Sequence, residues 1–248
     1  MHAPEVSTVP WKDLTTVFLD VGNTLISIDF DWVARELADR GHADARDSLP
    51  RAEAAARRPV SEWIEAGHST EPDDTFVLYL RTIFENLPEL GAVGAGGLEA
   101  LAGELAPVLR PPGRADRLWC SVMPGVPAAL ERLSEAGLEL LAVSNADGTV
   151  ERGLRTAGLH HHFASVLDSA VVGYEKPDSR LFHEALRRCG ALPERTLHVG
   201  DLLHADVMGA RSAGLHAALL DPYGDWGEVD CPVFPDLASL ASEIARHR

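Results

Sequence analysis

Cysteine, positive charge and long apolar runs are all scarce in this chain of 248 residues. Its three cysteines, Cys120, Cys189 and Cys231, are odd in number and far apart, which argues against a disulfide framework and for a reducing compartment. No segment is long and apolar enough to span a bilayer, and residues 1–12 lack the apolar core of a secretory leader. Basic residues number 22 against 38 acidic ones. The resulting formal charge of −16 disfavours nucleic acid and anionic membrane as partners, since both are negative themselves. A small anionic substrate is compatible with this charge, because it responds to the local field of its pocket. The expectation is a cytoplasmic enzyme or binding protein.

The chain has an ordinary hydrophobic fraction, 46%, and enough length for one large domain or two modest ones. Thr16-Val17-Phe18-Leu19 runs into Asp20 and is then broken by Gly22-Asn23-Thr24. A short apolar run bounded by turn residues reads as a buried strand of a parallel sheet, with Asp20 at the carboxyl end where such sheets bind ligands. Helical spacing follows over residues 30–41, 46–58, 73–87 and 98–109. Beyond residue 123, helices are expected at 126–136, 150–157, 179–189, 206–213 and 237–246. Strands are expected between them at 138–143, 163–168, 196–199 and 216–220. That alternation implies βαβ units and a parallel sheet covered on both faces. The first strand joins the sheet only if the intervening helices form a separate lobe. The expected fold is therefore α/β: a Rossmann-like, three-layer, parallel-sheet core of residues 1–26 and 119–248, interrupted by an all-helical cap domain of residues 27–118.

Four expected strand ends carry functional groups: Asp20, then Ser144-Asn145, then Lys176, then Asp201 with Asp206. Carboxylates from separate strand ends make an oxygen-rich site suited to a hard cation such as Mg²⁺. A hydroxyl and a lysine on the same rim suit a phosphate or carboxylate.

The segments Asp20-Val21-Gly22-Asn23-Thr24-Leu25, Val143-Ser144-Asn145, Gly173-Tyr174-Glu175-Lys176-Pro177-Asp178 and Val199-Gly200-Asp201-Leu202-Leu203-His204-Ala205-Asp206 occur in that order. With them the sequence resembles the haloacid dehalogenase-like (HAD) hydrolases, over residues 17–25 and 123–220. The resemblance implies that the helical insert is a type-one cap. It implies Asp20 and Lys176 as catalytic residues, Asp20 the nucleophile that forms an aspartyl intermediate and Lys176 neutralising charge beside it. Thr24, Ser144 and Asn145 would bind the transferring group. Asp20, Asp201, Asp206 and the backbone carbonyl of Gly22 would hold Mg²⁺. The implied activity is that of a phosphatase on a small phosphorylated metabolite, working as a monomer or homodimer.

Gly22 departs from the family pattern. Family phosphatases carry a second aspartate there, which protonates the leaving oxygen and later activates water; such help is worth roughly 10²–10⁴-fold. His204 is the nearest replacement along the chain. Three explanations remain open: a substrate with a good leaving group such as an acyl phosphate, displacement of a different group, or a catalytically weakened ligand-binding or scaffold protein. The family's 2-haloacid dehalogenases lack that aspartate but carry tyrosine and do not need the metal pair. Its phosphonate-cleaving branch requires a cap lysine, whereas the only lysines here are Lys12 and Lys176. Other tempting residues read more plainly. His160-His161-His162 suits a solvated loop, and Cys120 a buried small hydrophobe. Arg51, Arg57, Arg58, His68 and Arg81 suit water-facing helix surfaces, and Trp63 the core of the cap. Residues 221–232 read as a turn-rich connection without chemistry.

Overall fold

A computed structural model describes residues 9–71 and 73–248, so the leader expectation for residues 1–12 falls largely outside the described residues. The chain enters through β1 (Thr16–Leu19), then β2 (Ile26–Ile28), and passes into four helices. These are α1 (Phe30–Ala38), α2 (Leu49–Glu65), α3 (Asp73–Glu85) and α4 (Ala95–Leu109), after which β3 (Trp119–Val122) returns it. There follow α5 (Val126–Glu135), β4 (Glu139–Ser144), α6 (Val150–Thr156), β5 (Ser165–Asp168), α7 (Ser169–Val172), α8 (Ser179–Cys189) and β6 (Thr196–Gly200). A wide turn of helix at Leu203–Met208, α9 (Gly209–Ser212), β7 (His216–Leu220), β8 (Val233–Phe234) and α10 (Leu237–Arg246) complete it.

Six strands form one parallel sheet in the order β5-β4-β1-β6-β7-β8. Strand β1 lies at its middle, and its four residues are all buried. Alternation along the strand sends Val17 and Leu19 to one face and Phe18 to the other. Val17 and Leu19 pack with Leu130 and Leu133 of α5 and Leu240 and Ile244 of α10. Phe18 packs with Leu181 and Phe182 of α8 and Ala210 of α9. Burial on both faces explains why Val17-Phe18-Leu19 runs apolar up to Asp20. The result is the three-layer, Rossmann-like arrangement that the alternation implied. No helix among the described residues is long and apolar enough to cross a membrane.

The four helices from α1 to α4 bury a separate apolar cluster, including Leu37, Leu49, Leu80, Phe84 and Leu105, which touches the sheet region through Ala205. Helix α2 runs on through Pro59, past the stop expected at residue 58. Val60 and Ile64 continue its buried stripe, so packing outweighs the backbone bond that the proline lacks. Strands β2 and β3 form an antiparallel ribbon where the chain leaves and re-enters the sheet region. Strands of three and four residues are too short for period-two patterning, which is why spacing did not reveal them. Cys120 is exposed rather than buried, because on β3 the neighbouring Trp119 takes the inward position. The helix expected at 206–213 is replaced by the wide turn and short α9, where the backbone comes against Pro177: a Cβ on Gly209 would stand 2.8 Å from the Pro177 Cα.

Candidate active site

Parallel pairing of β1 with β6, Leu19 opposite Val199, brings Asp20 and Asp201 to the same edge of the sheet. The Asp20 N–H donates to the Val199 carbonyl at 2.9 Å, which anchors the residue at the strand end. Asp206 comes from the wide turn. Its N–H donates to the Leu202 carbonyl, and its Oδ2 accepts from the Leu202 N–H at 2.9 Å. Gly200 makes this approach feasible, since a Cβ there would stand 2.1 Å from the Asp206 Cγ. One oxygen from each of Asp20, Asp201 and Asp206 lies within 4.8 Å of the others, and all three residues are buried.

Lys176 stands in the loop before α8 and donates from Nζ to Oδ1 of both Asp20 and Asp206, each at 2.6 Å. Asn145 fixes that loop: the Lys176 N–H donates to its Oδ1 at 2.6 Å, and its Nδ2 donates to the Lys176 carbonyl at 2.8 Å. Ser144 Oγ donates to Asp20 Oδ1 at 3.3 Å. The fully buried His198 places Nε2 at 3.0 Å from Asp206 Oδ1. Burial raises the Asp20 and Asp201 carboxyls above their usual range, with Lys176 opposing at the first and Arg57 at the second. Burial alone would raise Asp206 as well, yet Lys176 and His198 pull it below. Burial would lower Lys176, but Asp20 and Asp206 outweigh it and hold the ammonium charged. One ammonium therefore serves two of the three carboxylates, and Asp201 is left to Arg57.

The helical lobe reaches this cluster through Arg57 of α2, whose Nε lies 3.4 Å from Asp201 Oδ2. The same guanidinium is bound at two points by Glu53, one turn earlier, at 2.7–3.1 Å. Glu53 also accepts from the Tyr79 hydroxyl at 3.1 Å, and Tyr79 accepts from Asn23 Nδ2 at 3.3 Å. Asn23 adopts a left-handed conformation, φ 54°, in the turn after Asp20, which asparagine tolerates better than most residues. A chain of buried polar contacts thus runs from Asp201 through the helices and back to the first motif.

Between the lobe and the sheet edge lies a cavity of about 180 Å³ that includes the carboxylate cluster, Ser144, Asn145 and Lys176. Its walls are largely apolar, from Val60, Phe76, Tyr79, Trp119, Ala146 and Val150. Glu71 and Arg110 stand on the wall as well, and burial pushes the Glu71 carboxyl up to about 7.

Of the expected site residues, Asp20, Gly22, Ser144, Asn145, Lys176, Asp201 and Asp206 all line this cavity. Thr24 does not. It is buried behind the left-handed Asn23 turn and lines a separate space of about 20 Å³. The side-chain amide of Asn145 is committed to Lys176 rather than free. His204 is not on the cavity wall, and its N–H donates to Ser61. His160–His162 form a single short turn of helix at the surface, where His160 pairs with Glu151. Among the arginines, Arg57 alone turns inward to the carboxylates; Arg51 pairs with Asp225 and Arg58 with Glu62. Glu53, Tyr79, Trp119 and His198 were not singled out by the sequence. For Glu53 and Arg57 a signal existed: both fall on the stripe of Leu49, Ala52, Ala56, Val60 and Ile64, where a charged pair must be buried.

The donor set fits a hard divalent cation. It is all oxygen, comes from three buried carboxylates, and carries more negative charge than Lys176 offsets. Similarity to known proteins bears on the family rather than on these residues. A family model for haloacid dehalogenase-like hydrolases matches residues 14–214. A glyceraldehyde 3-phosphate phosphatase of Methanothermobacter thermautotrophicus is 34% identical over 212 residues, 84% of this chain and 86% of that protein. A phosphoserine phosphatase of Thermus thermophilus is 36% identical over 223 residues, 83% of this chain and 88% of the relative. Among solved structures, a magnesium-bound HAD-hydrolase of Bacillus subtilis aligns with a TM-score of 0.61 at 20% identity, covering 93% of this chain and 98% of the other. By sequence match and fold together, this chain belongs to the haloacid dehalogenase-like hydrolases.

Proposed function

We propose that this hydrolase is a phosphatase acting on a small phosphorylated metabolite, with Asp20 as its nucleophile. The observation that carries the proposal is the convergence of Asp20, Asp201, Asp206 and Lys176 at one sheet edge, inside a cavity large enough for a small molecule. Two relatives at 34% and 36% identity bear phosphatase names, which favours phosphoryl over other groups. In this reading an Asp20 carboxylate oxygen attacks phosphorus, the ester P–O bond breaks, and water then releases phosphate from the aspartyl phosphate. Lys176 offsets the charge between Asp20 and the incoming phosphoryl group, and Asn145 holds Lys176 in place. The Ser144 hydroxyl, already near Asp20, donates to a phosphoryl oxygen. Mg²⁺ held by Asp20, Asp201, Asp206 and the Gly22 carbonyl would supply further neutralisation of phosphoryl charge. Residues 27–118 act as the cap that covers the cavity and selects substrate, with no role for nucleic acid, and the protein works as a monomer or homodimer.

A dehalogenase reading has weaker support, since halide displacement does not need the Asp201–Asp206 pair. The test is release of inorganic phosphate, with and without Mg²⁺, from a panel of phosphate esters and acyl phosphates beside halo-acids. Mg²⁺-dependent phosphate release that Asp20→Asn abolishes, in a variant with an unchanged folding transition, is the expected result. Full turnover by Asp20→Asn, or halide as the sole product, would overturn the proposal.

A further inference from the structure

Resting on the phosphatase reading, the inference concerns the place that Gly22 leaves open. A Cβ built on Gly22 would stand 3.4 Å from Nε1 of Trp119 and 3.6 Å from its Cδ1. An indole therefore lies directly over the position whose side chain, in family phosphatases, handles the leaving group's proton. The ring is set by its neighbours: Tyr79 lies stacked at 6.2 Å between centroids with 19° between planes, and Phe76 lies at 5.8 Å. Trp119 shares the cavity wall with Asp20 and Gly22, and its Nε1–H finds no acceptor among the described residues. An indole N–H donates a hydrogen bond but does not give up its proton in water, so it can stabilise a departing oxygen without protonating it.

The other proton carriers on this wall are occupied elsewhere. The Tyr79 hydroxyl donates to Glu53, and Lys176 is bound to Asp20 and Asp206. Glu71 also lines the cavity, and the charges that act on it most are Arg110, Asp147, Glu175 and Asp168 rather than those of the carboxylate cluster.

We propose that the Trp119 indole N–H donates to the ester oxygen that leaves phosphorus, and that the enzyme's substrates are aryl, enol or acyl phosphates rather than alkyl phosphates. When the bond from Asp20 to phosphorus forms and the ester bond breaks, the electron pair stays on the leaving oxygen. A phenolate, enolate or carboxylate spreads that charge by resonance and departs unprotonated. An alkoxide does not, and nothing at position 22 supplies it with a proton. The apolar wall of Val60, Phe76, Ala146 and Val150 suits the flat or uncharged remainder of such substrates. This separates the chain from its relatives named for glyceraldehyde 3-phosphate and phosphoserine, both alkyl phosphates.

The experiment measures kcat and KM with Mg²⁺ for para-nitrophenyl phosphate, phenyl phosphate, acetyl phosphate, glycerol phosphate and phosphoserine, using the full chain and two variants. For the parent, kcat should fall steeply with leaving-group basicity, with alkyl phosphates slower than aryl and acyl phosphates by about 10²-fold or more. Trp119→Phe keeps the ring but removes the N–H. It should lower kcat about tenfold on phenyl phosphate and little on para-nitrophenyl phosphate, steepening the dependence on basicity. Gly22→Asp, which restores an acid, should flatten that dependence by raising the alkyl rates. Alkyl phosphates turned over as fast as aryl phosphates would overturn the substrate class while leaving the phosphatase reading intact. An equal loss on every substrate in Trp119→Phe would reduce the indole to packing and overturn its proposed role. Absence of phosphate release from the whole panel would overturn both readings together.

Discussion

The edge of the sheet and the helical lobe above it both bury charge, but they balance it differently. At the sheet edge Asp20 and Asp206 share one ammonium while Asp201 has only the more distant Arg57, and burial raises the Asp20 and Asp201 carboxyls. In the lobe, Glu53 and Arg57 match each other one to one, with Tyr79 filling a further acceptor of Glu53. A surplus of buried carboxylates suits a cation, whereas a matched pair is already balanced. The two meet where Arg57 approaches Asp201, so the lobe lends a fixed positive charge to a site that is otherwise too negative.

The sharpest way to break this comparison is to remove the shared group. Arg57→Ala leaves Glu53 buried without a counter-ion and should cost about 3–5 kcal/mol of unfolding free energy, read from urea midpoints. The double variant Glu53→Leu/Arg57→Met should lose less than the single one. A loss below about 1 kcal/mol in Arg57→Ala would mean the lobe's pair is hydrated, not matched.

The next test adds Mg²⁺. Mg²⁺ at a hundredfold excess over its Kd should add about 2.7 kcal/mol, a rise in Tm of roughly 5–10 °C for a chain of this size. Asp201→Asn should abolish most of that shift. An undiminished rise in the variant would place the ion away from the sheet edge.

A smaller effect concerns Glu71, held up to about 7 by burial despite Arg110. The folded chain then binds an extra proton between the ordinary carboxyl value of 4.5 and about 7, and stability falls as pH rises through that window. Glu71→Gln should remove this slope and gain about 1–2 kcal/mol at pH 8. A parallel stability profile in parent and variant would show that Glu71 is solvated. Smallest of all is the exposed contact between lobe and sheet region, where Arg51 grips Asp225 at two points. Arg51→Ala should lower the unfolding free energy by less than about 1 kcal/mol; a larger loss would mean the two regions are held together at their rim rather than at Arg57.

Much of this fold was legible where local signals agree. The spacing placed α8 at 179–189, β7 at 216–220 and α10 at 237–246, the bounds found in the structure. Asp178 and Asp236 cap the two helices as their residue types suggest, and Gly190 closes α8 in a left-handed conformation. The ribbon of β2 and β3 and the two-residue β8 were illegible, because so few residues carry no period. The wide turn at Leu203–Met208 was read as plain helix, since its apolar spacing matches one; the backbone shape there follows from Asp206 folding back onto Leu202 and from the close approach to Pro177.

By itself the sequence determined which groups end the strands, and hence that Asp20, Ser144 and Asp201 share one edge, because a parallel sheet sends every strand end to the same side; Lys176 and Asp206 reach it from the loops beyond, held by Asn145 and by the turn onto Leu202. Only the tertiary structure decided which of the lobe's arginines and aromatics turn inward, that Arg57 meets Asp201, and that Trp119 lies over Gly22. Those pairs are separated by 144 and 97 positions in the chain. Contacts of that range arise when two lobes pack together, and no periodicity within either segment records the packing of the other.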